Sequence, residues 1–521
     1  MKNTMTNEMK KVKDDLIAEI DKRIADKIIE KTNADLLKKL ITSAETVNEA
    51  IMIAELGTTY KRTGFHFDKR LEKMTDTIKY FKKNYQLSFT TDKNALTHKL
   101  VIGDNYDALL NLLIEYRGKI DVIYIDPPYG KDSMGEFAKT NYDNAITRDN
   151  LLSMLYPRLV LARQLLSDSG VIFCSIDDKN QAYVKGLFDE VFGESNFVAN
   201  LIWNDKYTVS NDAKYVSDQH EYILFYAKNK NNFQIGRLKR TEEQNKSYTN
   251  PDNDPKGAWK ATPIHAKSGT EKSKYEITFE NGITWKCPAG RFPRYSKTRL
   301  MELYKSGELY FNKNGGVDKK TYLVEVSDKG VVVGSLLKYD VVGHTHGNNE
   351  QLADIIGKGK FDNPKGTKLI NYLIPIGATN DNATILDFFA GSGTTGQAVL
   401  ELNKQDGGKR QFILATANEI TDTTPNGIVN DVTSKRLKRV MTGECYDGTA
   451  DFKWNEKNNP LGDNLDVYDI ATVANFEATD GKTPFEVIDE TLYGEEKLSV
   501  KEKIKWVCEN FEMTQKKLSD N

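Results

Sequence analysis

Asp121-Val122-Ile123-Tyr124-Ile125-Asp126-Pro127-Pro128-Tyr129 is the stretch that sets the fold class. Val122 to Ile125 is a short unbroken apolar run, β-branched and aromatic, which suits a strand covered on both faces. The prolines end it, because proline lacks a backbone donor and cannot continue a central strand. A carboxylate at the carboxyl end of a parallel strand sits where open α/β sheets bind ligands. Pro127 and Pro128 restrict the backbone, so the Pro127 carbonyl has a set direction. Tyr129 adds a flat face with a polar tip. A carboxylate, an aimed carbonyl and an aromatic face together suit a planar group that carries an exocyclic amine. Asp-Pro is also ordinary turn chemistry, and a rigid strand-to-loop turn is the plain alternative.

Strand and helix patterns alternate on either side. Upstream, Leu100-Val101-Ile102 leads through Gly103 into a helix from Tyr106 to Tyr116. Downstream come a helix over 148–166, a strand over 170–176, a helix over 182–192 and strands over 198–203 and 221–226. That alternation predicts an α/β fold with a largely parallel sheet under helical cover. Residues 229–340 break the rhythm with Lys, Asn, Gly and aromatic residues in short alternating pieces, predicting a β-rich insert. The α/β pattern returns with a helix over 367–373, a strand over 383–389, a helix over 395–402, a strand over 411–415 and a helix over 432–441. Residues 8–56 read as amphipathic helices, with Leu16, Ile20, Ile24 and Ile28 four residues apart. The tail is acidic, contains aromatics, and reads as helical over 499–511.

A second motif, Asp387-Phe388-Phe389-Ala390-Gly391-Ser392-Gly393-Thr394-Thr395-Gly396, follows a strand and opens a helix. Its glycines allow a sharp turn and close approach to a ligand, and the helix N-terminus offers free N–H groups. Gly391, Gly393 and Gly396 also match the dinucleotide fingerprint. Glu419 lies 26 residues past Gly393, at the end of the next strand, where it suits a pair of ribose hydroxyls. This motif alone leaves nicotinamide and other adenosine cofactors open.

Composition narrows the class. With 521 residues, 39% hydrophobic and 28% charged, the chain is long enough for about three core-forming domains. No run of about 18 apolar residues occurs, and the first residues lack the apolar core of a leader, so no membrane association is expected. Four scattered cysteines without a CxxC pair fit a cytoplasmic location and argue against structural zinc. His344 and His346 lack an evident third ligand nearby, so no metal is expected. Residues 231–330 carry 19 Lys and Arg against 12 Asp and Glu in a chain of net charge −2, a balance compatible with a polyanion. Within them Arg291, Arg294, Lys297 and Arg299 interleave with Phe292 and Tyr295, a pattern for tracking phosphates that a solvated charged face matches equally. Gly357-Lys-Gly-Lys and Gly366-Thr-Lys lack Walker A spacing, so no helicase activity is expected from this chain.

The two motifs together, Asp126 lying 261 residues before Asp387 with the basic insert between, resemble the amino-methyltransferases of DNA, in particular the β-class adenine-N6 enzymes. In that class a DPPY motif precedes an FxGxG motif, with the target-recognition domain between. The chain is most similar in layout to the modification subunit of type III restriction-modification systems. Phe361-Asp-Asn-Pro-Lys-Gly-Thr-Lys-Leu-Ile370, Gly170-Val-Ile-Phe-Cys-Ser-Ile-Asp-Asp178 and His220-Glu-Tyr-Ile-Leu-Phe-Tyr226 resemble further segments of the family. The likeness covers residues 60–440. The chain is shorter than such subunits, and Ala415-Thr-Ala-Asn-Glu419 departs from the usual run before the acid.

The resemblance implies a Rossmann-like S-adenosylmethionine-dependent methyltransferase fold, permuted so that the catalytic half comes first. Its regions are then an N-terminal helical region (1–92), the catalytic half (93–228), the target-recognition insert (229–340), the S-adenosylmethionine half (341–445) and a C-terminal region (446–521). Asp126, Pro127, Pro128 and Tyr129 take the catalytic role. Asp387, Phe389, Ala390, Gly391, Ser392, Gly393, Thr394, Glu419, Lys365 and Thr367 take the cofactor. Tyr129 and Phe225 would stack on an extruded base, and Arg291, Arg294, Lys297 and Arg299 would meet the DNA. Partners implied are double-stranded DNA, a second copy of the chain, and a restriction subunit with helicase-nuclease activity. The leading Asp favours adenine over cytosine N4, where the family usually has Ser. A nicotinamide oxidoreductase leaves the DPPY run and the insert unexplained, and a DNA-recognition subunit without catalysis is the remaining alternative.

Overall fold

The structure, a computed structural model, describes residues 2–25, 31–55, 77–129, 147–211, 213–312, 314–327, 329–474 and residue 499. Ten strands form one mixed sheet: β1 (Thr77–Lys83), β2 (Thr97–Ile102), β3 (Ile120–Ile125), β4 (Leu166–Ile176), β5 (Phe197–Trp203), β6 (Glu221–Ala227), β7 (Leu336–Leu337), β8 (Thr384–Asp387), β9 (Gln411–Thr416) and β10 (Asn464–Ala474). Their order is β1-β10-β2-β9-β8-β3-β4-β6-β5-β7. β10, β2, β9, β8, β3 and β4 run parallel. β6 pairs antiparallel with both β4 and β5.

Alternation along the strands fills two layers, because successive side chains point to opposite faces. Ile123 and Ile125 of β3 pack with Ile172, Cys174, Leu386 and Ile413 on one face. Helices α4 (Asn105–Tyr116), α5 (Thr147–Leu165) and α6 (Asp178–Phe192) cover it. Val122 and Tyr124 point the other way, with Val171, Phe173, Ile385 and Phe412. That face is covered by α8 (Thr345–Ile356), α9 (Thr367–Gly377), α10 (Thr394–Asp406) and α11 (Ser434–Thr442). The apolar run after Asp121 is thus buried on both sides, as its composition requires.

Two regions stand apart from that sandwich. Helices α1 (Lys2–Ala25), α2 (Lys31–Ser43) and α3 (Val47–Glu55) pack on one another through Ile20, Ala34, Ile41, Ala50 and Ala54. The insert has its own core of Ile264, Ile277, Phe279, Trp285, Leu300, Leu303, Leu309 and Val317. This core is built from small antiparallel sheets and helix α7 (Lys297–Lys305). Its end returns to the body as β7, paired with β5.

The sheet extends beyond residues 93–445. β1 comes from the region read as helical, and β10 from the tail read as acidic with a helical end. Buried Leu465 and Val467 alternate with Asp466 in β10, the pattern of a half-covered strand. Of the acids that obscure it, Asp466 pairs with Lys83 at 2.8 Å and Asp469 accepts from Asn84 Nδ2 at 2.9 Å. The helix read over 499–511 lies outside the described residues. The helix read over 432–441 is preceded by a π-helical turn, Val429–Thr433.

Candidate active site

β3 and β8 are neighbours, with Ile385 opposite Val122 and Leu386 opposite Ile123. Asp126 and the glycine turn therefore emerge side by side at the carboxyl edge of the sheet. A cavity of about 550 Å³ opens there, within the range of small-molecule sites. Asp126, Pro127, Pro128 and Tyr129 line it after β3, Phe389 and Gly391 after β8, and Glu419 after β9.

Lys365 holds the centre of the polar half. Its Nζ lies 3.2 Å from Asp126 Oδ1 and 2.7 Å from Glu221 Oε2. It also donates to Tyr129 Oη at 3.2 Å. The ammonium sits 5.2 Å from the Tyr129 ring centre and 5.5 Å from that of Trp203. Tyr129 Oη donates in turn to Asp126 Oδ1 at 2.5 Å. Burial raises the Asp126 carboxyl above its ordinary value; Lys365 opposes that rise and Glu221 adds to it. Burial also works against the Lys365 ammonium, yet the two carboxylates outweigh it and keep this group charged. Burial, with Asp126 and Glu221 nearby, pushes the Tyr129 phenol well up, so it stays a donor.

Neighbouring turns fix these groups. Asp177 caps α6, and Asn180 in its first turn donates to Asp177 Oδ1 at 2.9 Å and to the Tyr129 carbonyl at 2.7 Å. After β2, Asn105 Nδ2 donates to the Phe388 carbonyl at 2.8 Å. Buried Arg158 of α5 donates to Asn105 Oδ1 and pairs with Asp104 at 3.0 Å. The ends of β2 and β8 are thereby tied to α5.

The glycine turn is held from below. Gly391 and Gly393 have φ of 47° and 78°, where L side chains are disfavoured. A Cβ on Gly391 would lie 3.2 Å from Phe361 Cζ, and one on Gly393 3.2 Å from Thr433 Cγ2. Asp387 accepts the Phe389 N–H at 3.0 Å and the Thr395 hydroxyl at 2.6 Å. Burial pushes its carboxyl up to about 7 against those bonds. Arg436 of α11, fully buried, donates to Ser392 Oγ at 3.0 Å, Thr394 Oγ1 at 2.6 Å and Gln397 Oε1 at 2.8 Å. Burial lowers this guanidinium to about 10. Thr433, in the π-helical turn, donates to the Gly391 carbonyl at 2.5 Å.

A model of the N6/N4 methyltransferase family, described as DNA methylase, matches residues 120–419. The chain belongs to this DNA methylase family. The match spans both motifs and the insert between them. A model of an uncharacterised conserved protein matches residues 2–122. The chain is 34% identical to the type III restriction-modification enzyme StyLTI Mod subunit of Salmonella typhimurium, over 74% of this chain and 64% of that one. It is 30% identical to the EcoPI Mod subunit of Escherichia phage P1, over 66% and 62%. It is also 30% identical to the type II methyltransferase M.KpnI of Klebsiella pneumoniae, over 71% and 94%. The chain thus spans less than two thirds of the length of these Mod subunits.

Within this chain several residues sit elsewhere than the motifs suggest. Phe225 does not face the cavity: it is buried mid-sheet, stacked on Phe173 at 4.3 Å and edge-on to Phe233. Only Glu221, four residues earlier on the same face of β6, reaches the edge, and four strand residues span about 13 Å. Lys365 turns its ammonium to Asp126, Glu221 and Tyr129, while its carbonyl accepts from Thr394 Oγ1 at 3.0 Å. Thr367 is buried at the start of α9 and accepts from Gln351 Nε2 at 2.9 Å, away from the cavity lining. Asp387, Ala390, Ser392, Gly393 and Thr394 shape the turn from behind; Phe389, Gly391 and Glu419 present the surface. Arg294, Lys297 and Arg299 are exposed on the insert and Arg291 half-buried, with Arg299 Nη1 paired to Glu302 at 2.7 Å. His344 Nδ1 accepts the Gly347 N–H at 3.2 Å, capping α8. Among the described residues no group of three or more His, Cys, Asp or Glu could hold a metal. No helix among them is long and apolar enough to cross a membrane.

Sequence reasoning missed Glu221, Trp203, Asp205, Asn105 and Arg436. Glu221 alone carried a signal, as an acid opening an apolar strand.

Proposed function

We propose that this chain transfers a methyl group from S-adenosylmethionine to the N6 amine of an adenine extruded from double-stranded DNA, as the modification subunit of a type III restriction-modification system. The observation that carries the reading is the shared cavity: amine-binding residues at Asp126–Tyr129 and a glycine turn with Glu419 line one space. The names of the Mod relatives support the type III assignment. On this reading the α/β fold is permuted, with the insert of residues 229–340 as the target-recognition domain. Leu36, Leu40 and Met52, exposed on α2 and α3, support a homodimer, and cleavage belongs to a separate restriction subunit.

The residues on the β8–β9 side fit the cofactor. Gly391 presents bare backbone to the cavity, Glu419 supplies acceptors for ribose hydroxyls, and Phe361 and Phe389 supply aromatic walls for an adenine. Bound S-adenosylmethionine supplies a methyl group on positively charged sulfur, open to displacement by a nitrogen lone pair. Asp126 and the Pro127 carbonyl accept the amine hydrogens and so orient the nitrogen lone pair. Tyr129 stacks on the base. Trp203, rather than Phe225, is the aromatic at the opposite wall. Lys365 now stands at Asp126 Oδ1 where the amine must bind; Glu221, 2.7 Å away, retains the ammonium when the base enters. The amine's surplus proton is released after transfer, with Asp126 the nearest carboxylate to receive it.

Nucleoside mass spectrometry of duplex DNA incubated with the protein and S-adenosylmethionine tests the base assignment. N6-methyladenine is expected. N4-methylcytosine would leave the cavity chemistry intact but overturn the choice of base, and no methylated nucleoside would overturn the reaction.

A further inference from the structure

The segment joining β5 to β6, residues 204–220, is unusual at both ends. Its root belongs to the cavity: Trp203, Asp205 and Lys206 line the wall opposite the glycine turn. Asp205 is 4% exposed, and its Oδ1 has no hydrogen-bond partner among the described residues. A buried acceptor without a partner costs stability unless something arrives to satisfy it. The tip is the reverse. Tyr207, Val209, Tyr215 and Val216 are 53%, 64%, 86% and 84% exposed. Scattered apolar side chains on a surface are ordinary, but four within ten residues beside a site mark a contact surface.

The segment is also a shaped arm. Asn204 Nδ2 donates to the carbonyls of Lys206 and Gln219 at 2.9 and 2.8 Å, closing the root. The Ser210 N–H donates to Ser217 Oγ at 2.8 Å, closing the tip. Tyr207 leans edge-on against His344, 4.9 Å between ring centres. Lys206 and Lys214 are offset by Asp205, Asp212 and Asp218, so the arm has no excess of positive charge for tracking phosphates. Its chemistry is stacking and apolar contact.

We infer that residues 204–220 form a wedge that enters the duplex beside the target, Tyr215 and Val216 filling the gap left by the extruded base while Asp205 binds the extruded nucleotide. The inference rests on the DNA-methylation reading. Extruding a base sacrifices stacking and pairing, and apolar side chains inserted between bases hold the opened duplex. An arm rooted in the cavity wall couples the two events.

The test is single-turnover methylation by the wild-type protein and the Tyr215→Ser/Val216→Ser double variant. The substrates are a duplex carrying the site found by methylome mapping and the same duplex with an abasic residue opposite the target. Both replaced side chains are exposed, so the fold is retained. The variant should be slowed by about tenfold or more on the paired duplex and should recover to about the wild-type rate on the abasic one, where extrusion costs least. An unchanged rate on the paired duplex overturns the wedge, and so does an equal loss on both duplexes. If the wild type methylates neither duplex, the DNA-methylation reading itself has failed and the wedge falls with it.

Discussion

Replacing Lys365 by methionine removes one positive charge from between two carboxylates while keeping the length of the side chain. At 3.2 Å from Asp126 Oδ1, unit charges attract by about 5 kcal/mol with an effective dielectric of about 20. Sharing of the ammonium with Glu221 and water in the cavity reduce that figure. A cation this close typically lowers a carboxyl by about 1–3 pH units, each worth about 1.4 kcal/mol. Burial and Glu221 already raise Asp126, so Lys365→Met adds to an upward shift. On the proposed mechanism methyl transfer needs the ionised carboxylate, which accepts hydrogen bonds only, and the rate should fall as pH drops through this group's pKa. The acid limb of the single-turnover rate should therefore move to higher pH by about 1–3 units, with Lys365→Arg leaving it nearly in place. Glu221→Gln should move it the opposite way, since the second carboxylate is one cause of the rise. The assay is transfer of a labelled methyl group to duplex DNA between about pH 5 and 9, single turnover so that product release does not mask chemistry. An acid limb unmoved by Lys365→Met would refute the assignment of this lysine to Asp126.

Other consequences follow from the same geometry. Asp126→Ala should lower the transfer rate by on the order of 10² or more while calorimetry shows S-adenosylmethionine binding retained. Gly391→Val forces a β-branched residue to φ of 47° against Phe361, and calorimetry should show donor binding abolished. Asp387, with its carboxyl at about 7 in the fold and an ordinary value near 4 when unfolded, holds its proton more tightly in the native state. Its contribution to stability therefore falls as pH rises from about 4 to about 7 and is level above that. Denaturant titrations at the two ends of that window should show a smaller decline for Asp387→Asn than for the wild type. On the insert, replacing both Arg294 and Lys297 with Ala should reduce the slope of log affinity against log salt by about one for each phosphate no longer neutralised. Arg299→Ala, already paired with Glu302, should change it little.

What the sequence made legible follows local grammar. Alternating β-branched runs and capped helices carry their own signals, so β3, α4, α5, α6 and β8 to α10 stand close to where the pattern puts them. The glycine turn and the DPPY run are contiguous, and each announces itself. Partnerships made across the sheet carry no such mark. Glu221 belongs to a strand antiparallel to β4, and only that reversal brings its first residue, not Phe225, to the ligand edge. Lys365 sits one residue from Gly366 in a segment read for the cofactor, yet β3 and β6 supply its partners. Arg436 looks like any basic residue of an amphipathic helix until the fold buries it under Ser392 and Thr394. β10 is obscured by acids whose partners, such as Lys83, lie almost four hundred residues earlier.

On the proposed reading one cavity, built by β3, β6 and β8, methylates adenine at a specific DNA site. Long-read sequencing of the genome of a methylation-free host expressing the chain tests it most directly, beside a host expressing Asp126→Ala. N6-methyladenine is expected at a single short motif, absent in the Asp126→Ala host. An unmodified genome from cells holding folded wild-type protein that binds S-adenosylmethionine would contradict it.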